Sequence, residues 1–288
     1  MSETGEKATP FTSGTKLYHE RAKRALPLLV RQAEAGQTVA YSDLADELEM
    51  PNARNLNYVL GSIGETLEAL SKSWPQRIPP IQCLVVNKET GLPGEGVGWF
   101  LVDKADYAKL PLAKKQAVIK AELSHISAYP HWHQVLAAFG LPPVSQDYGA
   151  LLQQAAAFRG GGESEDHRRL KEYVAQHPEL VGLPSSSARG DTEHSLPSGD
   201  SLDVSFSHAD EWVAVEVKSA RSPIQDVVRG LYQCVKYRAV MEAVLAAQSR
   251  RASVRAVLLL ESALPGTLVA LRNTLGVQVL ERVTRADA

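Results

Sequence analysis

Residues 201–218, "SLDVSFSHADEWVAVEVK", constrain this chain most, because they hold two strongly apolar runs with a short polar break between them. Short runs rich in Val, Phe and Trp, bounded by turn residues, read as β-strands. With Ala209 and Asp210 as a two-residue turn, the runs form a hairpin, and antiparallel counting sets Asp203 directly opposite Glu216. Alternate side chains of a strand go to opposite faces. Ala214, Glu216 and Lys218 therefore share one face of the second strand, and Val213, Val215 and Val217 share the other. An acid-x-Lys and a facing acid thus lie in a stretch otherwise fit for burial.

Two carboxylates so placed repel each other unless a cation sits between them. Magnesium suits such a place, since it takes oxygen ligands from one or two carboxylates, water and substrate phosphate. A metal there polarises a phosphoryl oxygen and acidifies a bound water. Lys218 on the same face is placed to orient that water and offset charge building on phosphorus. The plainer alternative is a solvated strand face on which Lys218 simply pairs with Glu216. The apolar strand and the hairpin interval to Asp203 favour the chemical reading.

Composition fits a soluble globular chain: 288 residues, 44% hydrophobic and 22% charged. That length suits one large or two ordinary domains. A formal net charge of -2 rules out a global basic field, so a nucleic-acid partner would have to be met by a local patch. Only Cys83 and Cys234 are present, too few for a disulfide framework. The polar start has no apolar signal core, and no apolar run approaches the length of a membrane span. These features lead to the expectation of a cytoplasmic location.

Along the chain, residues 1–14 read as a flexible tail, and 15–35 as a helix with Pro27 as a point of kinking. Ser42 is the expected N-cap of a short helix, and residues 52–64 open a longer one. "IQCLVVN" and "GVGWFLV" read as two strands, followed by helices at about 112–127 and 130–139. The Pro pair of "FGLPPVSQ" marks a boundary, and 143–161 reads as a linker helix and a Gly-rich hinge at residues 160–162. Beyond it the pattern is helix, three strands, a long helix at about 223–248, a strand, and a closing helix and strand.

This second half resembles the PD-(D/E)xK nuclease superfamily, in particular its Mrr-like, RecB-like and NucS-like branches. The resemblance rests on Asp203 for the first acid, Glu216-Val217-Lys218 for the acid-x-Lys, and Gln233 and Tyr237 of "GLYQCVKYR" for a Gln-x-x-x-Tyr element. Gln233 and Tyr237 are one helical turn apart and face the same side. The first acid follows Leu202 rather than the usual Pro. The resemblance implies that Asp203, Glu216 and the Val217 carbonyl hold Mg2+, with Mn2+ able to substitute. Gln233 and Tyr237 would buttress the site, and a further acid would come from the opening helix. Glu163 is the first choice for that acid because it shares a stripe with His167, Leu170 and Val174, and Glu165 is the second. His167 itself reads as a packed or surface histidine rather than a ligand. The implied activity is that of an Mg2+-dependent DNA endonuclease, in defence against foreign or modified DNA or in repair, with a possible homodimer. A catalytically inactive nuclease fold and a nuclease acting on RNA are the alternatives.

The first half, "TVAYSDLADELEMPNARNLNYVLGSIG" followed by the strand pair, has the order of a winged helix. Asn52, Arg54, Asn55, Asn57 and Tyr58 open its second helix and are the expected DNA-contacting residues. The layout is also similar to the DNA-binding domain of alkylguanine alkyltransferases and their alkyltransferase-like relatives. The His and Arg that activate the thiol in that family are missing around Cys83, so alkyl transfer is not expected. His131 and His133 belong to a loop and helix start, and Trp132 and Tyr129 either stack on a base or pack between helices.

The expected fold is therefore a two-domain α/β (α+β) chain. A winged-helix-like helical domain spans 15–142, and an αβββαβ restriction-endonuclease-like mixed sheet spans 162–288.

Overall fold

A computed structural model describes residues 8–101, 107–144, 148–157 and 165–284. The chain is a mixed α+β protein of two compact units, Met1–Gln146 and Asp147–Ala288, each with its own apolar core. Among the described residues no helix is long and apolar enough to cross a membrane.

The first unit is mainly helical. Helix α1 (Leu17–Ala35) buries Ala22, Ala25, Leu26, Leu29, Val30 and Ala33, the one-sided spacing of an amphipathic helix. It runs through the buried Pro27 and ends at Gly36, whose φ of 64° lets its N–H cap the Ala33 and Gln32 carbonyls. Strand β1 (Val39–Ala40) leads directly into α2 (Tyr41–Glu47), so the N-cap is Ala40 and not the expected Ser42. The Ser42 hydroxyl instead donates to Asp43. A 3-10 turn at Ala53–Asn55 precedes α3 (Leu56–Ser71).

The strand pair expected next does not form in the described residues. Ile81–Leu84 is a 3-10 turn with all four side chains buried, a pattern that lacks the alternation of a half-buried strand. Only Val85–Val86 (β2) is extended, and it pairs in parallel with β1. Glu95–Phe100, interrupted by Gly96 and Gly98, is also 3-10. Helices α4 (Leu112–Ala128) and α5 (Trp132–Ala138) follow as expected.

The second unit holds α6 (Gly149–Ala157), α7 (Glu165–Gln176), β3 (Asp191–Ser195), β4 (Ser201–His208), β5 (Glu211–Lys218), α8 (Ile224–Ala247), β6 (Ser253–Leu260), α9 (Val269–Leu275) and β7 (Gln278–Leu280). The strands form one five-stranded mixed sheet in chain order, β3-β4-β5-β6-β7. The β3/β4 and β4/β5 pairs are antiparallel, and β5/β6 and β6/β7 are parallel. The parallel β5/β6 connection is carried by α8, the crossover such a pair requires. Val213, Val215 and Val217 pack with Leu170 and Val174 of α7 on one face. Ala214 packs with Tyr237, Met241 and Leu245 of α8 on the other. Burial on both faces explains why β5 reads as a nearly continuous apolar run.

Candidate active site

The β4–β5 hairpin turns at Ala209 and Asp210, with His208 paired to Glu211. Ala209 has φ of 47°, the left-handed conformation a tight hairpin asks of a turn residue. The paired residues run back to Val204 opposite Val215, and one more step would bring Asp203 opposite Glu216. The alternation slips at that step. Leu202 packs with the α8-side cluster, whereas Val204 packs with the α7-side cluster. On the neighbouring strand Glu193 takes φ of 54°. Asp203 Oδ2 accepts the Val217 N–H at 2.9 Å, so a side chain takes over where the ladder leaves off. In a strand the N–H and C=O of one residue point the same way. The Lys218 carbonyl accepts the Glu261 N–H on the β6 side, so the Val217 carbonyl points toward Asp203.

Glu216 and Lys218 lie on the α8 face, 3% and 6% exposed. Lys218 Nζ is 2.9 Å from Glu216 Oε1 and 3.0 Å from Asp226 Oδ1 in the first turn of α8. Close approach of α8 depends on Gly230. A Cβ there would lie 2.8 Å from Leu258 Cδ1, 3.0 Å from Lys218 Cε and 3.5 Å from Glu216 Cγ. Gly230, Gln233 and Tyr237 follow at helical spacing on the same side of α8. Gln233 Nε2 donates to the Tyr237 hydroxyl at 2.9 Å, and Tyr237 in turn reaches the Ser201 carbonyl at 3.2 Å. The Gln233 Oε1 is buried with no hydrogen-bond partner among the described residues.

The charges are strongly coupled. Burial, and then the negative charge of Asp203, push the Glu216 carboxyl up to about 7 against the opposing pull of Lys218 and Tyr237. Partial burial would raise the Asp203 pKa, but the adjacent His167 imidazole, the hydrogen bond from the Val217 N–H and the positive charges nearby hold it below the usual value. Burial alone would depress the Lys218 ammonium, and the carboxylates of Glu216 and Asp226 outweigh it and raise its pKa. The adjacent Asp203 carboxylate raises the pKa of His167 in spite of burial.

The structure brings Asp203, Glu216, Val217, Lys218, Gln233 and Tyr237 into one neighbourhood. Glu163 lies outside the described residues. Glu165 is exposed and bound to Arg168 and Arg169 of its own helix, and so is not directed at this cluster. His167, read from sequence as a bland histidine, has its Nε2 3.6 Å from Asp203 Oδ1. Three further residues were not singled out from the sequence. Lys171 is buried on α7, bonded to Glu193 and 3.9 Å from Asp203. Asp226 holds Lys218, and Gly230 makes room for both. His167 and Lys171 are four apart on the apolar stripe of α7, a signal that would have paired them had the strand partner been known.

Among the described residues no three His, Cys, Asp or Glu side chains form a metal-binding group. The donors that are present nevertheless suit a hard cation. Two mutually repelling carboxylates, a carbonyl aimed at one of them and an unpartnered buried amide oxygen are all oxygen ligands.

In the first unit Asn52, Arg54, Asn55, Asn57 and Tyr58 are all exposed at the start of α3. The Asn52 side chain accepts the Arg54 N–H and caps the turn. Cys83 is fully buried, and burial followed by the nearby Glu122 carboxylate pushes its pKa up, which leaves the thiol protonated. Trp132 is buried with its Nε1 on the Ile126 carbonyl and Tyr129 edge-on at 4.9 Å, so the pair packs between helices. His133 is exposed and pairs with Glu34 at 2.6 Å. No protein-family model, curated protein or solved structure matches the chain.

Proposed function

We propose that the protein is a metal-dependent nuclease that hydrolyses phosphodiester bonds in DNA. The second unit would carry the chemistry on a restriction-endonuclease-like sheet. The first would contact nucleic acid through the start of α3 in a winged-helix-like manner. The observation that carries this reading is the convergence of Asp203 with the buried Glu216 and Lys218 on the adjacent interior strands β4 and β5. Apart from chemistry, like charges in such a place are a cost to the fold.

Asp203, Glu216 and the Val217 carbonyl would hold Mg2+ or Mn2+. When bound, the ion supplies Lewis-acid polarisation of the phosphoryl oxygen and a more acidic water. Glu216 must leave its ion pair with Lys218 to act as a ligand. Asp226 then keeps Lys218 charged and in place, with its ammonium free on one side to orient the attacking water. The Gln233–Tyr237 pair steadies Glu216 from the α8 side. Lys171 and His167 hold Asp203 ionised from the α7 side. Cutting both strands of a duplex calls for two such sites, so a homodimer belongs to the proposal. A role against foreign or modified DNA, or in repair, follows from the resemblance of the motif.

The test is cleavage of supercoiled plasmid and a short linear duplex with Mg2+ or Mn2+, beside Asp203→Ala and Lys218→Ala. The parent is expected to cut and both variants to lose at least about a hundred-fold in rate, the scale of a lost charge-stabilising group. Failure of the parent to cut modified and unmodified DNA while still binding it would sink the nuclease reading and leave a DNA-binding scaffold.

A further inference from the structure

The two carboxylates of the candidate site belong to a longer row. Glu193 lies between Thr192 and His194, which pair with Val204 and Leu202, so by count along the ladder it stands across from Asp203. The β4/β5 register carried one step further puts Asp203 across from Glu216. Three carboxylates thus stand abreast on β3, β4 and β5, with two gaps between them. Like charges directly opposite each other weaken a sheet, so each gap calls for positive charge.

The gap between Glu193 and Asp203 is already filled. Lys171 reaches into it from α7, bonded to Glu193 and with its Nζ 3.9 Å from Asp203 Oδ1. It is only 4% exposed, and lysine is almost never buried so deeply unless it is paired. The backbone is bent around this contact. Glu193 takes φ of 54°, where side chains are rarely found, and the Ser201 hydroxyl donates to its other carboxylate oxygen at 3.0 Å. Backbone strain of this kind persists where the surroundings over-determine it, and it clusters at functional sites. The second gap is built differently. Lys218 pairs with Glu216 at 2.9 Å but is also held by Asp226 of α8 at 3.0 Å. Asp203 turns its Oδ2 to the Val217 N–H.

We infer that the gap between Glu193 and Asp203 is a second cation site which Lys171 occupies, so that the protein takes a single divalent ion, in the gap between Asp203 and Glu216. The inference rests on the nuclease reading for that ion. Paired-metal sites set two ions roughly 3.5–4 Å apart to share the charge of the reacting groups. Here Asp203 is the acid common to both gaps, and an ammonium fixed to α7 supplies the second positive charge. Lys171 acts through Asp203 and is a positioning residue.

The probe is Mn2+, added to the full chain after treatment with EDTA and counted by calorimetry and electron paramagnetic resonance. The parent is expected to bind one Mn2+ per chain, with the spectrum of an isolated ion. Lys171→Gln is expected to bind two, with the broadened spectrum of a coupled pair. Adding Glu193→Gln to that variant is expected to return the count to one. Without metal Lys171→Gln is expected to melt below the parent, because two facing carboxylates have lost the charge between them. Mn2+ is then expected to raise its melting temperature by more than it raises the parent's. Two ions in the parent would overturn the inference and leave the nuclease reading standing, whereas no bound ion would overturn both. A single ion on folded Lys171→Gln would also overturn it. If that variant fails to fold, the count on the parent decides, together with Lys171→Arg, which keeps the charge and is expected to keep the count at one.

Discussion

At the scale of single residues, Glu216 is where the opening sequence feature becomes a measurable property. A carboxyl raised to about 7 in the fold, against about 4.3 when unfolded, binds an extra proton in the native state between those limits. Its protonation supports the fold fully below the unfolded value, and that support is lost as pH rises through about 7. Relative to the parent, Glu216→Gln should therefore gain thermal stability from pH 5 to pH 8, by on the order of 1–3 kcal/mol. A stability difference that stays flat across that range would show that Glu216 ionises normally. Asp203 has the opposite sign. Its lowered pKa contributes stability above the unfolded value and loses it as pH falls through the folded one, so acid should weaken this part of the sheet. Under the proposed function, Mn2+ affinity should climb as pH rises through about 7, because the metal competes with the proton on Glu216. Titration calorimetry in two buffers of different ionisation enthalpy would show the released proton. Asp226→Asn tests the support of Lys218. The rate should fall about ten-fold with Mn2+ affinity unchanged, and Asp226→Glu should restore part of it. A loss of Mn2+ affinity instead would make Asp226 a ligand.

At the scale of elements, the contact of α8 with β5 sets the geometry. Gly230→Ala forces a methyl against Leu258 and Lys218, both within 3.0 Å of its place. Overpacking of this kind costs about 1–3 kcal/mol, and the melting temperature should fall accordingly. An unchanged melting curve would mean that α8 shifts freely. The hairpin turn offers the reverse change. Ala209 sits at φ of 47°, where a side chain is strained. Ala209→Gly should stabilise the unit by up to about 1 kcal/mol, measured by urea unfolding.

At the scale of the whole molecule, each unit encloses its own core, one around α1 and α3 and the others around the five-stranded sheet. Residues 147–288 alone should give a cooperative thermal transition by circular dichroism. A molten, non-cooperative profile would show that the second unit depends on the first for its fold.

The sequence alone carried the strands of the second unit, because alternation and turn chemistry are local. It placed β4, β5, their two-residue turn and α8 within a residue or so of where they lie. It also marked Asp203, Glu216, Lys218, Gln233 and Tyr237 as a set, since motif spacing survives without knowledge of packing. Local reasoning failed where burial overrides pattern. Ile81–Leu84 is apolar enough for a strand, yet it turns, with Ile81, Cys83 and Leu84 all in the core rather than on alternate faces. The partners Lys171 and His167 come from a helix far back along the chain and Asp226 from the helix after β5, and no local period records which helix a charged side chain will meet. The slip at Asp203, which hands the Val217 N–H to a side chain, is likewise a tertiary fact. It is set by which backbone groups the strand ladder leaves unpaired, and that is decided only when the whole unit closes.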